Sequence, residues 1–246
     1  MAGHSKWANI KHRKGAQDAK RGKIFTKLIR EITIAAKMSG AEIGSNPRLR
    51  AVVDKALNAN MTRDTIDRAI KRGAGGLEGA DLAEVRYEGY GQGGVAVMVD
   101  CLTDNRNRTV SEVRHAFTKY GGNLGTDGSV AYLFSNIGQI VFPQTTDENA
   151  LMEIGLELGA EDVSQESTGE FVVTTDPTQF NMILDALKEK GFQAIHAEVT
   201  MVPATYVNVD GETAEGLMKM IDVLEDLDDV QNVYTNADFP DELMNQ

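Results

Sequence analysis

Residues 139–202 read QIVFPQTTDENALMEIGLELGAEDVSQESTGEFVVTTDPTQFNMILDALKEKGFQAIHAEVTMV. Four short runs in this stretch, Gln139–Phe142, Glu161–Gln165, Glu170–Thr175 and Ala194–Val202, have the length of strands, and several are rich in β-branched and aromatic residues. Between them, Glu148–Leu158 and Pro177–Lys190 place apolar residues at helical spacing. Pro177 suits a first helical turn, and Gly191 follows the end of that helix. Ser167-Thr168-Gly169 supplies a turn between the two middle strands. The order is strand, helix, strand, strand, helix, strand, which is the split βαβ pattern of ferredoxin-like domains.

Upstream, Ala83–Tyr90 and Val95–Leu102 read as strands, Thr109–Tyr120 as a helix ended by Gly121-Gly122, and Val130–Phe134 as a strand. Downstream lie a strand (Thr205–Val209), a helix (Ala214–Leu227) and a strand (Val230–Asn236). These last three have too little surface to fold alone, so they are expected to complete the sheet begun at Ala83. The βαββαβ unit then becomes an insertion. The first third is helical. Ile24, Phe25, Leu28, Ile29, Ile32, Ala35 and Ala36 form one apolar face between Ala16 and Met38, and Gly40 stops that helix. Asn46 caps a second helix with Pro47 at its first position, and a third opens at Thr62 and ends at Gly73. Gly73–Gly79 holds four glycines and reads as a hinge or linker. The expected fold is α+β: an N-terminal three-helix domain (1–78), a discontinuous α/β domain (79–135 plus 204–246) and an inserted α/β domain (136–203), the two α/β domains ferredoxin-like.

The net charge of −12 over 246 residues conceals a segregation. Met1–Arg72 carries 17 Lys+Arg against 6 Asp+Glu, a net of +11, whereas Gly73–Gln246 carries 8 against 31, a net of −23. A basic module attached to an acidic body suggests an anionic partner for the module. On a helical wheel Lys20, Lys23, Lys27, Arg30 and Lys37 fall in one arc of about 100°. Ile34 interrupts this stripe and Glu31 borders it. An ordinary solvated face mixes signs, and a nearly uniform positive one calls for phosphate or another anion. The segment ahead adds Lys6, Trp7, Lys11, Arg13 and Lys14, and Arg21 adds to the helix. Trp7 either stacks on a base or anchors the arm to the bundle. Arg106 and Arg108, at a strand-to-helix junction, either make secondary phosphate contacts or pair with the acidic body.

Other motifs fail in context. Gly89–Gly94 matches G-x-G-x-x-G, but a strand follows it, so no helix N-terminus awaits a pyrophosphate. Asp222, Glu225, Asp226, Asp228 and Asp229 lack calcium-loop register and read as a solvated helix end. One cysteine, Cys101, excludes an internal disulfide and a cysteine zinc site. No nucleophile–base pair or paired catalytic carboxylate stands out. The expectation is a cytoplasmic nucleic-acid-binding protein, not an enzyme, with no metal, no cofactor, no small-molecule substrate and no membrane association.

Gly3-His4-Ser5-Lys6-Trp7-Ala8-Asn9-Ile10, Lys23–Lys27, Asn46–Arg50, Met61–Ile66, Tyr87–Gly91, Asp104–Thr109 and Gly121–Phe134 resemble, in order, the motifs of the YebC/PmpR family. The chain departs from them at Gln92, where the family commonly has proline. The resemblance implies a three-domain arrangement and a regulator of gene expression. Bacterial members bear a transcriptional-regulator label, a mitochondrial relative is a translational activator of a cytochrome oxidase subunit, and bacterial members also resemble ribosome-associated factors that help synthesis of proline-rich stretches. RNA on the ribosome (rRNA or tRNA) is therefore the expected partner, with DNA as the alternative. The basic positions matching the family are Lys6, Arg13, Lys14, Lys20, Arg21, Lys23 and Lys27.

Overall fold

The computed structural model describes residues 21–75, 81–166 and 169–240. The chain divides into two compact units. One extends to Ala131 and resumes over Val209–Thr235, and the other comprises Tyr132–Asn208 and resumes at Asn236.

The first unit opens with three helices, α1 (Arg21–Ser39), α2 (Pro47–Asn58) and α3 (Arg63–Gly73). The caps form as the sequence dictates. Asn46 accepts from the Leu49 amide, and its own amide donates to the carbonyls of Ala35 and Gly40, so one buried side chain starts α2 and closes α1. Thr62 accepts from the Thr65 amide at the start of α3. Ile32, Ala35 and Ala36 of α1 meet Leu49, Val52, Val53, Ile66, Ala69 and Ile70 in one core. At Gly73, a Cβ would lie 2.2 Å from the Thr33 carbonyl oxygen, so α3 approaches α1 too closely for any side chain. The glycine stretch expected to be a linker thus begins inside a packed helix. Leu77–Gly79 of that stretch, with Gly76, lie outside the described residues.

The same unit holds an antiparallel sheet of β1 (Ala83–Tyr90), β2 (Ala96–Thr103), β3 (Asn123–Leu124) and β9 (Val230–Thr235), in the order β3-β1-β2-β9. α4 (Arg106–Lys119) and α7 (Gly211–Asp226) pack beside it. β3 was not apparent from the sequence; two residues pairing with Gly89 and Tyr90 are too few to show a period. The loop after β3 is gathered by Glu88, whose carboxylate accepts from the amides of Gly128 (2.6 Å), Val130 (3.0 Å) and Ala131 (2.6 Å). Burial opposes that charge, but the three N–H donors prevail and hold the carboxyl below its ordinary range.

The second unit contains β4 (Phe134–Phe142), α5 (Glu148–Glu157), β5 (Asp162–Gln165), β6 (Phe171–Thr175), α6 (Phe180–Glu189) and β7 (His196–Pro203). Its sheet order, β5-β6-β4-β7 and antiparallel throughout, is that of the ferredoxin-like fold. Ile140, Phe142, Leu151, Phe171, Val173, Ile183 and Leu187 form its core.

Three expectations change. The strands placed at Val130–Phe134 and Gln139–Phe142 are replaced by one strand starting at Phe134, because Ser135–Ile137 pair with Thr200–Val202 although Ser135 and Asn136 have no strand-forming bias. α6 begins at Phe180 rather than Pro177, since the Asp176 carboxylate takes the Thr178 amide into a turn. The strand at 205–209 does not join the first sheet. Its β8 (Val207–Asn208) pairs in parallel with β10 (Ala237–Asp238) in a separate ladder. Ser167 and Thr168 of the expected turn lie outside the described residues.

Gly73→Ala should lower stability by about 1–3 kcal/mol through overpacking against Thr33. Urea unfolding followed by helical circular dichroism measures it, and an unchanged midpoint would contradict the close approach of α3 to α1.

Candidate nucleic-acid interface

The face of α1 opposite the bundle core is occupied. α7 ends at Asp226, leaving its last carbonyls without intrahelical partners and the negative end of its dipole exposed. Basic side chains of α1, spaced i, i+4, i+7, meet these groups. Lys23 Nζ donates to the Asp226 carbonyl at 3.0 Å, Lys27 Nζ to the Glu225 carbonyl at 2.5 Å, and Arg30 to the carbonyls of Leu102 and Asp228, each at 3.0 Å. Lys37 reaches the exposed Asp81 at 3.3 Å. Glu31, bordering the stripe, accepts from Arg48, which also pairs with Glu84 on β1.

Asp229 lies at the centre of this joint and is 2% exposed. Its carboxylate receives Arg30, Arg108 at 2.7 Å, and the hydroxyls of Thr109 (2.7 Å) and Thr103 (3.2 Å). Burial alone would raise its pKa. Hydrogen bonds from Arg108, Arg30 and Thr109, with the charge of Arg30, overcome that and hold the carboxyl below the usual aspartate range. The acidic cluster expected to be a solvated helix end therefore contains a buried four-donor acceptor.

The candidate residues thus fall into separate groups. Lys6, Trp7, Lys11, Arg13, Lys14 and Lys20 lie outside the described residues, and Arg21 opens α1. Lys23, Lys27 and Arg30 are ligands of α7 and Asp229. Arg108 is held by Asp229 and by Asp104 at 2.8 Å, the pairing that was one of its two open readings. Arg106 is exposed in the first turn of α4, its carbonyl accepting from the Tyr87 hydroxyl at 3.4 Å. The bundle also exposes Arg50, Lys55, Arg63, Lys71 and Arg72, on α2 and α3 rather than on the stripe of α1. The docking role of Arg30 had one sequence signal. Ile34, the apolar break in the stripe, is 5% exposed, and an apolar residue on a charged face marks that face as covered.

The glycine loop at Gly89–Gly94 is structural. A Cβ on Gly91 would lie 2.3 Å from Leu217 Cδ2, so the glycine admits α7 against the sheet. Gln92, the departure from the family pattern, fills space between two glycines: a Cβ on Gly121 would lie 2.6 Å from its Nε2, and one on Gly216 3.0 Å from its Oε1. Burial pushes the Cys101 thiol up to about 12, so it stays protonated and unreactive at neutral pH. Among the described residues no group of three or more His, Cys, Asp or Glu is placed to hold a metal, and no helix is long and apolar enough to cross a membrane.

This helical domain joined to two α/β domains is a shared architecture. Residues 5–76 match the model of the TACO1/YebC protein N-terminal domain, and residues 82–237 match that of the TACO1/YebC second and third domain. The chain belongs to the TACO1/YebC family. A probable transcriptional regulatory protein of Coxiella burnetii (strain Dugway 5J108-111) is 64% identical over 244 residues, covering 99% of this chain and all of that protein. One of Alcanivorax borkumensis is 64% identical over 241 residues, covering 98% of each chain. The crystal structure of a conserved hypothetical protein from Aquifex aeolicus superposes with a TM-score of 0.80 at 48% identity, covering 91% of this chain and 92% of that one.

The Asp229 joint makes a stability prediction. Arg30→Gln should cost about 1.5–3 kcal/mol, the range for a hydrogen bond to a charged group, whereas Lys23→Gln at the exposed edge should cost under about 1 kcal/mol. Asp229→Asn should destabilise strongly at neutral pH. Because the folded-state pKa of Asp229 is depressed, its contribution is complete above the unfolded value of about 3.9 and is lost as pH falls through the lower folded value. Denaturation curves of wild type and Asp229→Asn should therefore converge only on the acid side of about pH 4. A constant difference down to pH 2 would show that the ionised carboxylate is not the source.

Proposed function

We propose that the protein is a non-enzymatic, cytoplasmic, nucleic-acid-binding regulator of gene expression that acts on RNA at the ribosome and aids synthesis of difficult, proline-rich stretches. The observation that carries this is the segregation of charge, net +11 through Arg72 and −23 beyond it. Phosphate attracts the first segment and repels the rest, so a long uniform duplex is a poor target. A confined RNA surface beside protein admits the basic domain while leaving the acidic body among non-phosphate neighbours. Lysine outnumbers arginine in the N-terminal segment and the stripe, and lysine holds phosphate without reading base edges. The proposed contacts are Lys6, Trp7, Lys11, Arg13, Lys14, Lys20 and Arg21. Lys23, Lys27 and Arg30 join them only where phosphate competes with α7.

A second reading is DNA binding in transcription. The names of the Coxiella and Alcanivorax relatives, probable transcriptional regulatory proteins, favour it.

Purified ribosomes and a promoter-length duplex, offered together at near-physiological salt, separate the two readings. Co-sedimentation with ribosomes is expected. Retention on one specific duplex, with ribosomes left unbound, would replace the translational reading by the transcriptional one. Changing Lys6, Lys11, Arg13 and Lys14 to glutamine should flatten the dependence of log K on log salt by about one unit per lost phosphate contact.

A further inference from the structure

The acidic body does not distribute its few cations evenly. Of the eight Lys and Arg residues after Arg72, four (Arg106, Arg108, Arg114 and Lys119) fall within the 14 residues of α4. That helix has one acid, Glu112, and so carries a net +3 on a body of net −23. Its inner side is Thr109, Val113, Ala116 and Phe117, all buried. At 100° per residue the opposite side presents Arg114, Asn107, Thr118, Ser111, His115 and Lys119 in adjacent positions, all exposed. Arg108, which also points outward, is satisfied by Asp229 and Asp104. Arg106, Arg114 and Lys119 have no carboxylate within ion-pair distance among the described residues. Lys119 Nζ sits instead over its neighbour's ring, 5.4 Å from the Tyr120 centroid.

We infer that the outward face of α4 is a second nucleic-acid contact, holding the phosphate backbone where the target passes the acidic body. This rests on the nucleic-acid reading above and adds a site on a different domain. The chemistry selects the ligand. Two cations without an ion pair among the described residues, Arg114 and Lys119, flank a centre line that includes Asn107 and Thr118, and such a face offers donors to phosphate oxygens. It offers no apolar residues to a lipid surface. A local positive face lets one strand of phosphate approach the body there, although the body as a whole carries a net −23.

The test uses the full chain with Arg114→Gln and Lys119→Gln together, both at exposed positions, so melting should be unchanged. Binding to a short structured RNA hairpin is titrated across salt. The expected result is weaker binding and a log–log salt slope shallower by about one to two units. Lys188→Gln with Lys190→Gln, also exposed and removing the same charge from the other unit, is the control and should bind like wild type. Equal losses in the two variants would assign the effect to bulk charge and overturn the α4 face. An unchanged slope in the α4 variant, with wild type bound, would overturn it while leaving the nucleic-acid reading standing. Failure of the wild-type chain to bind hairpin, duplex or ribosome would remove both.

Discussion

A carboxylate taken out of water must be surrounded by donors, and Asp229 is surrounded by four. They come from α1, the end of β2 and the first turn of α4, while Asp229 itself stands between α7 and β9. The helical bundle, the sheet and α4 thus each contribute to one desolvated charge. Removing any of the elements would leave that charge under-compensated, which is far costlier than losing an exposed ion pair. The helical bundle is therefore not a bead on a glycine tether. Its basic helix is a structural ligand of the sheet it accompanies, and Lys23, Lys27 and Arg48 extend the same joint at its more exposed margin.

The joint gives the charge segregation a second meaning. Attraction between the basic first domain and the acidic body is used inside the molecule as well as offered outside it. The side chains best placed to bind the acidic end of α7 are those a helical wheel selects for phosphate, because carbonyl dipoles, carboxylates and phosphates ask for the same donors. A positive stripe identifies the kind of ligand and leaves open whether that ligand belongs to the same chain.

Local rules were legible in the sequence where one element decides its own geometry. The caps at Asn46 and Thr62, the proline at the start of α2 and the alternating elements of residues 139–202 all follow from adjacent residues. What the sequence hid depends on partners far away. Ser135 and Asn136 become strand because β7 is beside them, β3 exists because Gly89 and Tyr90 offer an edge, and Val207–Asn208 finds Ala237–Asp238 rather than the first sheet. Asp229 looked like one acid among five, and its burial follows only once Arg30 and Arg108 converge on it. Ile34 was the exception, an apolar residue in a charged arc that marked the covered face.

The partners of Asp229 are separated from it along the chain by 199 residues at Arg30 and 121 at Arg108. A chain made from its N-terminus therefore completes the bundle, α4 and most of the first sheet before the residue that neutralises their arginines exists. Throughout that interval Lys23 and Lys27 lack the carbonyls of α7 that they will meet, and Arg30 has the Leu102 carbonyl but not Asp229. Closure comes only with α7 and β9, after every element they join, so the molecule begins life with a more cationic surface than it keeps.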